Sequence, residues 1–152
     1  LAANKRLLVL KKTTDFQKIQ KNGLKIKPVS WLIFNFLGNE LLQFRCGWTI
    51  SRKVGNAVVR NKLKRWSRVF FRESLKRNAL ADIPLDLNLV FLQRDAGFYR
   101  NLKYREFEFI MNKGMAQIAK KIPTNNKTNI KNSQIKKPEE ELRAEKLSNQ
   151  NE

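Results

Sequence analysis

Between residues 57 and about 78, apolar side chains return every three to four positions, and most of the polar positions between them are cationic. At about 100° per residue, Val59, Leu63, Trp66 and Phe70 fall within roughly 60° of one another, a stripe that predicts an amphipathic helix. Arg60, Lys64, Arg65, Arg68 and Arg72 occupy a separate arc of about 140° by the same count. From Arg45 to Arg77 the only acid is Glu73. A face kept for solubility alone interleaves acids at i,i+4 spacing, where each pair adds a few tenths of a kcal/mol. Here the cations repel one another along the helix, and an anionic partner turns that cost into binding energy. Arginine predominates on the face, and its guanidinium offers two parallel donors to a phosphate where an ammonium is a point charge. Asn61 can donate and accept, which suits a sugar hydroxyl, a base edge or a metal-bound water as well as a plain surface amide.

The flanking sequence predicts an α+β fold. A short helix is expected over residues 13–23, with Thr13 or Thr14 as its cap, Phe16 and Ile19 on one face, and Asn22-Gly23 as its stop. Pro28 opens an extended run, 29–37, that is apolar on both faces: Trp31, Ile33 and Leu37 on one, Leu32, Phe34 and Phe36 on the other. Such a strand is either covered twice or keeps one face for a ligand. Gly38-Asn39-Glu40 reads as a hairpin turn into a second strand over 42–51, where apolar and polar residues alternate. A polar loop, 51–56, precedes the cationic helix. Beyond Ile83-Pro84 an apolar run, 85–92, reads as a buried strand, and 93–100 as a basic loop. A last helix carries Tyr104, Phe107, Met111, Met115 and Ile118 as core residues. At Pro123 the composition turns polar and free of aromatics. The expected division is therefore a folded RNA-binding domain over 1–122 and a disordered polar tail over 123–152, with a transient helix near 139–147.

Composition narrows the function. The chain has 32 Lys and Arg against 13 Asp and Glu, a net charge of +19, so its partners are polyanions, nucleic acid first and an anionic membrane surface second. No apolar run of about 18 residues is present to span a bilayer, and residues 1–12 do not read as a secretory signal. Cys46 is the only cysteine, which excludes an internal disulfide and fits a reducing, cytoplasmic setting. Histidine is absent. That removes the commonest general base and the usual zinc ligand. A carboxylate-based metal nuclease would need clustered acids, whereas Asp15, Asp82, Asp86 and Asp95 are scattered among basic residues. Phe16, Phe34 and Phe36 form an aromatic set suited to stacking unpaired bases, with Phe36 read as ordinary core.

The string from Lys53 to Arg65, Lys-Val-Gly-Asn-Ala-Val-Val-Arg-Asn-Lys-Leu-Lys-Arg, resembles the signature of the bacterial ribonuclease P protein family, with Arg52 in place of that signature's first lysine. Asp15-Phe16 followed by Gly23, the run from Ser30 to Phe36, Ser51, and the segment from Asp86 to Arg94 extend the likeness over roughly residues 5–120. The resemblance implies a small central β-sheet packed with about three helices and a left-handed βαβ crossover (ribosomal protein S5 domain 2-like), against the usual right-handed rule. It implies a non-catalytic protein subunit of an endoribonuclease, in which the RNA subunit performs Mg²⁺-dependent cleavage of precursor tRNA. No cofactor is implied for the protein alone, no membrane, and no protein oligomer. By the same resemblance Arg60, Asn61, Lys64, Arg65 and Arg68, with Lys62 among them, contact the catalytic RNA. Phe16 and Phe34 line a cleft for the 5′ leader, with Arg52 and Lys53 nearby. Gln20 departs from the pattern, standing where many relatives have an aromatic. The alternatives are a ribosomal-type structural RNA binder and a nuclease acting alone.

Overall fold

The structure, a computed structural model, describes residues 6–77 and 83–122. In chain order the elements are β1 (Leu8–Val9), α1 (Thr13–Asn22), β2 (Leu24–Val29), β3 (Leu32–Gly38), β4 (Arg45–Ile50), α2 (Ala57–Lys76), β5 (Leu85–Phe91), α3 (Phe98–Asn101) and α4 (Tyr104–Lys121). Five strands form one mixed sheet in the order β1-β4-β5-β3-β2. The expected change of character at Pro123 lies outside the described residues.

Alternation along the strands decides the two faces. The row Phe34, Leu89, Trp48 runs across β3, β5 and β4, as do Leu32, Phe91, Ile50 and Phe36, Leu87, Cys46. These rows meet α2 and α4. Phe91 stacks on Phe107 of α4 at 6.4 Å, and Trp66 of α2 packs on Phe107 at 5.6 Å. The main core lies here, with Phe34, Leu63, Phe71, Leu87, Leu89, Phe107 and Met111 fully buried. The intervening rows, Asn35-Asn88-Gly47 and Ile33-Val90-Thr49, face the other way, where α1 lies over Gly47. The first face is sealed by two helices and the second only partly by one.

Several expectations need correction. The extended run from 29 to 37 is not one strand: β2 and β3 form a hairpin turning at Ser30 and Trp31, with Val29 opposite Leu32. Pro28 sits inside β2, which is tolerated because β2 is an edge strand and the missing N–H breaks no central ladder. Gly38-Asn39-Glu40 is not a hairpin, since β5 lies between β3 and β4. The chain crosses the end of β5 instead, held by the Asn39 N–H donating to the Pro84 carbonyl at 2.9 Å. Leu42 is 67% exposed with φ of 55°, so the pairing strand begins only at Arg45. Neither threonine caps α1; Lys12 holds that position without a side-chain bond, and Gly23 closes the helix in an extended conformation. β4 and β5 do pair in parallel, making β4-α2-β5 a crossover unit.

Candidate nucleic-acid interface

The helix α2 begins where the Asn56 side chain accepts the Val59 N–H at 3.0 Å, capping an otherwise free donor. Leu63 and Phe70 are buried, and Val59 and Trp66 are half-buried, as the stripe predicts. The cationic arc is more finely divided. Arg65, Arg72 and Asn61 are exposed, whereas Arg60, Lys64 and Arg68 are half-buried. Phe71 and Leu75 fall in the same arc by helical count yet are buried, Phe71 packing on Phe44 at 5.2 Å. The last turns of α2 thus insert into the core on the side where its first turns present cations.

Individual cations are held in place. The Arg60 Nε donates to the Gly55 carbonyl at 3.2 Å, which anchors the side chain to the loop before the helix. The Arg68 guanidinium lies over the Trp48 ring at 4.7 Å. Lys62 departs from the expected grip. Its Nζ donates to the carbonyls of Tyr99 at 2.6 Å and Arg100 at 3.3 Å, and lies over Trp66 at 4.7 Å. Burial, with a smaller contribution from Arg65, lowers its pKa. Lys62 ties α2 to α3, and its ammonium is engaged within the fold rather than offered outward like that of an unpaired lysine. Arg52 and Lys53 are exposed on the turn after β4. Between this turn and the segment 93–100 lies a cavity of about 290 Å³ bordered by Lys53, Asn56, Arg94 and Arg100.

The aromatic pair separates. Phe16 is half-buried on α1, its ring so close to β4 that a Cβ on Gly47 would sit 2.8 Å from it. Phe34 is fully buried on the opposite face of the sheet, where α4 comes so near that a Cβ on Gly114 would clash with its ring. Phe34 therefore lines no cleft. The residue of β3 on the side of Phe16 is Ile33, half-buried in a row with Val90 and the exposed Thr49. The one signal available was Asn35, a polar residue in phase with Ile33, which marks 33 and 35 as the less apolar face. Next to this row the Asn88 amide donates to the Thr49 hydroxyl at 3.0 Å.

The acids do converge, but on a cation. Asp86 accepts two bonds from Arg45, at 2.8 and 2.6 Å, and Asp15 of α1 lies 3.6 Å from the same guanidinium. Asp86 also accepts from the Asn39 amide at 2.7 Å. This cluster fastens α1 across the sheet and leaves these carboxylates committed.

Fold and surface together define a class: a basic α+β protein with one cationic helix and, on the opposite side of its sheet, a partly open face edged by an aromatic. A family model described as Ribonuclease P matches residues 5–119, and the chain belongs to that family. The ribonuclease P protein component of Macrococcus caseolyticus is 44% identical over 102 residues, covering 67% of this chain and 85% of that protein. That of Staphylococcus epidermidis is 38% identical over 72 residues, so the match spans 62% of the relative's length. The structure of the Staphylococcus aureus RNase P protein superposes with a TM-score of 0.61 at 29% identity, covering 76% of this chain and 97% of that one.

Proposed function

We infer that this chain is the protein subunit of ribonuclease P, which binds the catalytic RNA and the 5′ leader of precursor tRNA and assists 5′ maturation of the tRNA. The observation that carries the reading is the separation of two surfaces. The cations of the signature string lie on α2, on one side of the sheet, and Phe16 edges an uncovered face on the other. On this reading Arg60, Asn61, Lys64, Arg65 and Arg68 grip the phosphates and sugars of the catalytic RNA, with Arg52 and Lys53 at the strand end between the two surfaces. The unpaired leader lies along the open face against Phe16, Ile33 and Val90, a half-apolar floor that favours splayed bases over duplex.

The chain's own donor set does not fit a resident Mg²⁺. A hard cation needs several oxygen ligands, whereas Asp15 and Asp86 are spent on Arg45, and among the described residues no three His, Cys, Asp or Glu side chains gather. The ion belongs to the RNA subunit, where it supplies the hydrolytic chemistry; the protein holds and orients.

Incubating precursor tRNA at low salt with the protein, with the catalytic RNA, and with both tests this. The mixture is expected to cleave faster than RNA alone, with no cleavage by protein alone. Cleavage by protein alone would instead support a self-sufficient nuclease, and an unstimulated mixture would support a ribosomal-type structural binder.

A further inference from the structure

The edge of β4 carries a ring, Trp48, that joins Arg68 of the α2 surface but has been given no role of its own. β1 pairs only with Arg45 and Cys46, and the Leu10 N–H still reaches the Cys46 carbonyl, so among the described residues no strand lies beside 48–50 on the edge away from β5. An open edge exposes backbone donors and acceptors and calls for a cover or a partner. Trp48 stands on this edge, half-buried, on the α2 side, and Thr49 stands exposed on the leader side. The Trp48 ring lies under Arg68, which by helical count is central in the cationic arc.

The chain's three tryptophans are not alike. Trp31 is buried in an aromatic cluster with Phe91, Phe98 and Tyr99, and Trp66 is packed between Tyr104 and Phe107 beneath Lys62. Trp48 is the one paired with a cation of the phosphate-facing set. An arginine whose guanidinium carbon is held 4.7 Å over an indole has given up side-chain freedom, and Arg68 keeps part of its surface open to solvent. Both indole and guanidinium planes stack nucleobases.

We propose that Trp48 and Arg68 form a stacking platform for an unpaired nucleotide of single-stranded RNA, at the β4 edge where the helix surface and the open sheet face meet. The base stacks on the outer plane of Arg68, the indole backs it from below, and the flanking Lys64 and Arg65 take the adjoining phosphates. The platform goes beyond the two surfaces already assigned and rests only on α2 facing RNA.

The test uses the whole chain with a short oligoadenylate and an RNA duplex of equal length, each titrated over a series of salt concentrations. Trp48→Leu is expected to weaken oligoadenylate binding about fivefold, because Arg68 loses the ring that holds it under the base, while duplex binding and the salt slope stay as in the wild type. Arg68→Lys keeps the charge and the aliphatic stem at a half-buried position and leaves the indole in place, so it avoids the folding defect that the first variant could carry. It is expected to lose about fivefold on the single strand at an unchanged slope. Wild-type affinity of Arg68→Lys for oligoadenylate, or equal losses on strand and duplex for either variant, would overturn the platform. Oligoadenylate carries neither tRNA nor leader, so this result is independent of the cleavage assay that tests the ribonuclease P reading.

Discussion

Phe34 and Ile33 are neighbours in sequence with opposite fates, and the period of a strand decides between them. A strand with two apolar faces offers no hydrophobic contrast, so the residue with the larger ring is easily taken for the ligand-facing one. The structure puts that ring under Gly114 of α4. Phe34→Ala is accordingly expected to cost about 3–5 kcal/mol of stability, as for other buried phenylalanines, measured by urea denaturation, with no selective effect on leader-bearing tRNA among molecules that remain folded. Ile33→Ser, on the open face, should do the reverse: little change in denaturation midpoint and a measurable loss of precursor affinity in the assembled ribonucleoprotein. Lys62 shows the same limit. Nothing in its spacing distinguishes it from Lys64, because the partners that occupy it, the carbonyls of Tyr99 and Arg100, lie 37 and 38 residues away. Arg65→Ala should reduce the slope of log K against log salt by about one for the catalytic RNA. Lys62→Met is expected to leave that slope unchanged, and a matching fall would return Lys62 to the phosphate grip.

At the level of elements, helix periodicity was the legible part. α2, α4, β5 and the core stripe follow from spacing, because a helix of 20 residues repeats its pattern over five turns. What spacing did not disclose is that α2 changes neighbours along its length. The arc that carries Arg60 and Lys64 also carries Phe71 and Leu75 two to three turns later, buried by Phe44 and the sheet. Strand order was equally hidden: the turn residues at 38–40 suit a hairpin, and only the long-range pairing of β3 with β5 rules it out. The seat of α1 likewise depends on distant residues, Arg45 and Asp86 gripping Asp15 and Gly47 admitting Phe16. Gly47→Ala would place a methyl group inside the Phe16 ring's contact distance, and α1 or its aromatic must shift. The expected outcome is a loss of precursor preference in a protein that still assembles with the catalytic RNA; unaltered preference would show that the placement of Phe16 does not matter.

On the scale of the whole molecule, the excess of positive charge says that the partner is a polyanion but not which surface meets it, and the sheet supplies that division by separating α2 from the Phe16 face. The same core sets a response to alkali. Burial pushes the Cys46 thiol and the Tyr99 phenol up to about 12. Both values lie above those of the unfolded chain, so the folded state holds its protons longer; that stability is intact below the unfolded values and is lost as pH rises toward about 12. Urea midpoints taken upward from about pH 8 should decline, and Cys46→Ala should flatten the first part of the decline. The central claim is that one face grips the catalytic RNA while the other recognises the leader. It is tested most directly by the affinities of the reconstituted ribonucleoprotein for leader-bearing precursor and for mature tRNA, compared between wild-type protein and Phe16→Ala. The account predicts that the wild type prefers the precursor and that Phe16→Ala lowers precursor affinity while sparing mature tRNA and assembly with the catalytic RNA. Equal loss for both tRNAs would contradict it.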